Sequence, residues 1–117
     1  MLEYTIRAPV RSKKNSRQLF LTGTGVRNIP STAYAVFEEA ALWELKMQHP
    51  KPACKPYKIR YNFTLKGKFR IDLDNAVASV NDVLMKAGIL GDDQDIIKIV
   101  AVKTNENPYN LTKISIE

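Results

Sequence analysis

This 117-residue chain has a single cysteine, Cys54, and a single histidine, His49. One thiol cannot form an internal disulfide, and such cysteine usage suits a reducing cytoplasm. Structural zinc takes four ligands from cysteine and histidine, so that class of centre is excluded and any metal must be held mainly by oxygen. Long apolar runs are missing too. No stretch approaches the ~20 residues of a membrane span, and Met1-Leu2-Glu3-Tyr4-Thr5-Ile6-Arg7 lacks the apolar core of a secretory signal. The expected setting is cytoplasmic, with no membrane partner. Glycine is sparse, and Gly23 and Gly25 are too isolated to argue a phosphate-binding loop. Acids are outnumbered, twelve Asp and Glu against eighteen Lys and Arg, which gives a formal net charge of +6. That sign favours an acidic partner, and how the charge is distributed matters more than the total.

The acids that are present are concentrated. Residues 72–95 hold six of the twelve (Asp72, Asp74, Asp82, Asp92, Asp93 and Asp95) with one base, Lys86; the net −5 there leaves +11 for the remainder. An acidic segment inside a basic body suits a protein that grips a polyanion and holds metal ions against it. The length fits one domain, spanning 1–117, with a single modest core.

Residues 2–6 alternate apolar and polar side chains and predict a first strand. A basic loop follows over 9–17, then a short strand at 18–22 and a turn at 23–25. Pro30-Ser31-Thr32 opens a helix, capped by Ser31 or Thr32 and running to about 48. Ala33, Val36, Phe37, Ala40, Trp43 and Met47 recur at three- and four-residue steps as its expected buried stripe, with Trp43 a core or interface anchor. The prolines of 50–56 forbid helix. Tyr57, Ile59, Tyr61, Phe63 and Leu65 alternate strictly with Lys58, Arg60, Asn62, Thr64 and Lys66, a strand with one apolar and one basic face. A second helix begins at 72–74, buries Leu73, Ala76, Val77, Val80, Leu84 and Ala87, and stops at Gly88. Residues 96–103 and 111–116 read as closing strands. The fold class is α+β: one domain, a mixed β-sheet packed with two main α-helices.

The chemistry-bearing pattern is Asp72-Leu73-Asp74-Asn75, followed nineteen residues after Asp74 by Asp93. If the preceding strand continued through Asp72, residues 72 and 74 would point the same way. Two or three converging aspartates supply what magnesium needs, oxygen ligands alongside water and substrate phosphate. Taken singly, each acid has an ordinary account: Asp72 or Asp74 as a helix cap, Asp92 or Asp93 as a turn residue. All three positions together, in a basic chain, favour a metal site. Asp82 is expected at the solvated surface.

Asp-Leu-Asp-Asn at the head of an amphipathic helix, then Gly88-Ile89-Leu90-Gly91-Asp92-Asp93-Gln94-Asp95-Ile96, is similar to the RusA family of Holliday-junction resolvases. Lys13-Lys14-Asn15-Ser16 resembles that family's N-terminal basic loop, so the likeness covers nearly the whole chain. It implies a RusA-like fold and a small homodimeric, Mg²⁺-dependent endodeoxyribonuclease in which Mn²⁺ can substitute. Such an enzyme nicks two opposed strands of a four-way DNA junction symmetrically, in recombination and repair, and is often carried by phages or prophages. It further implies that Asp72, Asp74 and Asp93 are the catalytic metal-binding aspartates and that Asn75 supports them. The family commonly has a catalytic lysine four residues after the second aspartate; here that residue is Ala78. The departure opens a second reading, a branched-DNA-binding protein with weak or lost catalysis.

The expected DNA surface has two parts. Arg11, Lys13, Lys14, Asn15 and Arg17, with Arg7, form one basic group. Lys66, Lys68 and Arg70, with Lys58 and Arg60, form a stripe along one strand face, provided Gly67 does not change the register. Phe69 lies between them as a core residue or a wedge at a branch point, with core the safer reading.

Overall fold

The structure, a computed structural model, describes residues 1–13 and 32–117, together with the backbone of 17–22 and 25–30. In chain order the elements are β1 (Leu2–Ile6), β2 (Arg17–Thr22), β3 (Gly25–Pro30), α1 (Thr32–Met47), β4 (Tyr57–Lys66), α2 (Leu73–Lys86), β5 (Ile96–Asn107) and β6 (Leu111–Ile116). Four strands form one sheet in the order β1-β6-β4-β5, with β4 and β5 parallel and the other neighbours antiparallel. β2 and β3 pair separately as an antiparallel hairpin, Arg17 opposite Pro30 and Thr22 opposite Gly25. The third strand was not expected, because Asn28 and Pro30 mask its apolar alternation. Lys14 and Asn15 of the expected basic loop lie outside the described residues.

Strict alternation decides which face of β4 is buried. Tyr57, Ile59, Tyr61, Phe63 and Leu65 all go into the core, while Lys58, Arg60, Asn62 and Lys66 are exposed and Thr64 is half-buried. Both helices cover the tyrosine face: α2 through Ala76, Val77, Val80 and Leu84, α1 through Tyr34, Phe37, Ala41 and Leu45, all in one hydrophobic cluster. The opposite face carries Lys58, Arg60 and Lys66 into solvent. Gly67, at φ +60, turns the chain out of β4, so Lys68, Phe69 and Arg70 belong to no strand. The expected stripe is therefore split. Lys66 points away from the helices, and Arg70 lies beyond the turn on the approach to α2.

α1 buries a different stripe from the one expected. Only Phe37 is common to both; Val36, Trp43 and Met47 are exposed, Trp43 at 59%. The helix is apolar on two sides, and periodicity cannot choose between them. The edge of β1 does. Glu44 accepts from the backbone N–H groups of Arg7 (2.6 Å) and Ala8 (2.9 Å), and Gln48 bonds both the N–H and the carbonyl of Thr5. These polar side chains fill hydrogen bonds that an unpaired edge strand would leave open, and turning them inward turns Trp43 out. α2 ends as expected: Gly88 takes φ +77 just past Ala87, and the N–H of Ile89 returns to the Leu84 carbonyl. No helix among the described residues is long and apolar enough to cross a membrane.

Glu44→Ala strips the acceptor from two backbone N–H groups at once. A loss of about 1–3 kcal/mol is expected in urea unfolding; an unchanged midpoint would show that α1 needs no such anchor.

Candidate active site

Asp72 is the N-cap residue of α2, with φ −66 and ψ 139, yet its carboxylate makes no capping hydrogen bond. The ordinary account of this residue, that its oxygen satisfies the helix's first N–H groups, therefore fails on geometry. Its one described contact is long: Nδ2 of Asn75 donates to Oδ2 at 3.4 Å. Asn75 is buried and Asp72 exposed, so the amide steadies the carboxylate from beneath. Asp74 stands exposed in the first turn, where the helix dipole favours a negative charge. The strand does not run through 72 and 74, so these two carboxylates owe their placement to the start of a helix.

Around Asp72 the chain builds a cavity of about 360 Å³ lined by Arg11, Ser12, Phe69, Arg70, Asn75 and Lys103, among others. One carboxylate thus faces three cations. Arg11 is held over the Phe69 ring, its guanidinium carbon 4.1 Å from the centroid, and burial pushes its pKa below the usual arginine range. Phe69 is half-buried against the core, as the safer reading had it. Lys103, which sequence reasoning missed, donates from Nζ to the Ile71 carbonyl at 2.6 Å. Two residues on, Asn105 Nδ2 donates to the Phe69 carbonyl at 2.5 Å. The signal for Lys103 lay in topology: a parallel β4–α2–β5 crossover puts the later part of β5 beside the start of α2, at the strand ends where such sheets collect ligands.

The basic loop arrives by a separate tether. The N–H of Lys13 donates to Oγ of buried Ser79 at 3.1 Å, and Lys13 Nζ pairs with Oδ2 of Asp82 at 3.0 Å. Asp82 is thus half-buried and paired, not a freely solvated acid. Lys13 is pinned to α2, which brings Arg11 to the cavity. Lys66 and Lys68 are exposed away from it, and the side chain of Arg17 is not among those described.

Asp93 opens a 3₁₀ turn over Asp93–Asp95, capped by Asp92, whose Oδ1 accepts from the N–H of Gln94 at 2.9 Å. It faces the Tyr61 hydroxyl, which donates to Oδ1 of Asn81 on α2. Asn81 is seven residues, about two turns, beyond Asp74 and on the same side of the helix. The sequence separation between Asp74 and Asp93 is thus closed only part of the way. Among the described residues no group of three or more His, Cys, Asp or Glu side chains could hold a metal ion. The donors at Asp72 and Asp74 are nevertheless right in kind for a hard cation that keeps several waters: carboxylate oxygens not consumed by capping, beside a cationic hollow suited to phosphate. Ala78, on the exposed side one turn past Asp74, contributes no charge.

Burial pushes the Tyr61 hydroxyl well above the usual tyrosine range; its bond to Asn81 opposes the shift and the Asp93 carboxylate adds to it. Tyr34 is raised too, by burial and then by Glu38. A raised folded-state pKa gives stability that is fully present below the ordinary tyrosine value of about 10 and is lost as pH climbs through the folded one. Absorbance titration should therefore find Tyr61 and Tyr34 still protonated after exposed Tyr109 has ionised. Simultaneous ionisation near pH 10 in folded protein would contradict this.

A comparison with curated proteins finds no match. Residues 8–117 match the sequence model described as Endodeoxyribonuclease RusA, which takes in the basic loop, both helices and every candidate aspartate. The chain belongs to the RusA endodeoxyribonuclease family, a family of Holliday-junction nucleases.

Proposed function

We propose that this protein is a divalent-metal-dependent, structure-selective endodeoxyribonuclease that resolves four-way junctions by paired nicks, acting as a homodimer. The observation that carries the reading is the non-capping Asp72 carboxylate in a cavity shared with Arg11, Arg70 and Lys103. A phosphodiester is an anion that must be brought to other anions, and only surrounding cations make that approach favourable. Asp72 and Asp74 would hold Mg²⁺, or Mn²⁺ in its place, with Asp93 as a third carboxylate and Asn75 steadying Asp72. When bound, the metal supplies polarisation of the phosphoryl group and a water of lowered pKa.

The chain's own residues do the rest. Arg11 and Arg70 draw a phosphate into the cavity, and Asn75 limits the directions Asp72 can take. Phe69, under Arg11, leaves an apolar floor that excludes water from one side. A two-fold dimer presents two such sites to opposed strands, which matches the symmetry of a four-way junction.

The second reading, a junction-binding protein with weak chemistry, draws on exposed Ala78 and on the separation of Asp93 from the α2 pair. Ala78→Lys tells the two apart. If catalysis is deficient for want of a cation on α2, an ammonium one turn from Asp74 raises cleavage about tenfold or more; under the leading reading it changes little.

Asp74→Asn tests the metal assignment directly. Cleavage of a labelled four-way junction should fall by at least about 10²-fold, while binding in EDTA changes by less than about threefold. Cleavage at the parent rate would overturn the assignment.

A further inference from the structure

Lys103 is an exposed residue whose ammonium is nonetheless fixed in place. Its backbone is registered opposite Phe63 in the parallel β4–β5 ladder, and its Nζ is tied to the Ile71 carbonyl at 2.6 Å. Ile71 immediately precedes Asp72, so lysine and carboxylate are joined through one peptide unit. An ammonium has three N–H donors. One is spent on Ile71, and no other partner exists among the described residues. Two donors therefore remain beside the cavity that Lys103 shares with Asp72. A lysine serving only to satisfy a carbonyl would need one donor and no place at a cavity mouth. Arg11 is committed to Phe69 and to the Val10 carbonyl, and Lys13 is neutralised by Asp82. Lys103 is thus a positioned cation whose charge is not cancelled.

We propose that Lys103 is a catalytic residue of the cleavage site, its ammonium holding the non-bridging oxygens of the scissile phosphate. The inference rests on the nuclease reading above. In the step it serves, a water oxygen bonds to phosphorus and the P–O3′ bond breaks with its electron pair going to O3′. Water loses one proton to solvent and O3′ gains one from it, which leaves a 5′-phosphate and a 3′-hydroxyl. Lys103 stays protonated throughout and stabilises the charge gathering on phosphoryl oxygen, where a preorganised donor acts most strongly.

The test uses Lys103→Met, which keeps the apolar stem and removes the charge, and Lys103→Arg, which keeps the charge. Two readouts are taken on a four-way junction: the salt dependence of binding in EDTA, and the cleavage rate with Mg²⁺. Lys103→Met should make the slope of log K against log salt shallower by about one, the loss of one phosphate contact per site, and slow cleavage by about 10²-fold or more. Lys103→Arg should keep the slope and stay within about tenfold of the parent rate. The proposal is overturned if Lys103→Met leaves the slope unchanged or cuts at the parent rate. It is overturned equally if Lys103→Arg loses as much cleavage as Lys103→Met, with the melting temperature lowered in both, since Lys103 would then be a tether alone. Failure of the nuclease reading looks different: the parent itself leaves the junction uncut, and the slope in EDTA still decides whether Lys103 touches phosphate.

Discussion

Two carbonyl groups, those of Phe69 and Ile71, decide where the candidate site lies. They belong to the stretch between Gly67 and α2, which has neither strand nor helix to satisfy it. Half-buried backbone carbonyls need partners, and β5 supplies them from Asn105 and Lys103, two residues apart and so on the same face of the strand. This clasp fixes the approach to Asp72, and Asp72 in turn sets the first turn of α2. Without β5 in parallel register beside β4, neither side chain would reach. The sheet topology and the site are one arrangement.

A second clasp acts from the other side. Ser79 and Asn81 are polar groups buried on a helix that otherwise packs apolar residues, and each has a partner from a different element: the Lys13 backbone for Ser79, the Tyr61 hydroxyl for Asn81. Buried polar groups without partners would be costly, so these two specify how the basic loop and β4 sit on α2. The loop delivers Arg11 to the cavity, and β4 delivers Tyr61 toward Asp93. Stability and site geometry draw on the same hydrogen bonds.

Much of this was legible in the sequence. The alternation from Tyr57 to Leu65, the start of α2 at Asp72, its stop at Gly88 and the two-helix mixed sheet all follow from period and punctuation, which are local properties. The α1 stripe was misassigned because Trp43 and Val36 look as apolar as Tyr34 and Leu45, and only the needs of the β1 edge choose between them. The Lys66–Arg70 stripe was drawn too long because a single positive-φ glycine ends it. Lys103 was invisible for a deeper reason: its role depends on which strand lies beside β4, and no residue near Lys103 in the chain announces that. The aspartates at 72 and 74 were found from spacing, whereas how close Asp93 comes to them is a tertiary fact that spacing cannot give.

The central claim is that a carboxylate set in a basic hollow at the head of α2 cuts DNA at a branch point. The direct measurement incubates the parent protein with an end-labelled four-way junction in Mg²⁺, in Mn²⁺ and in EDTA, and resolves the products on a denaturing gel. The account predicts paired nicks at symmetric positions in opposed strands with either metal and none in EDTA. Junction bound tightly but left whole in both metals would contradict it.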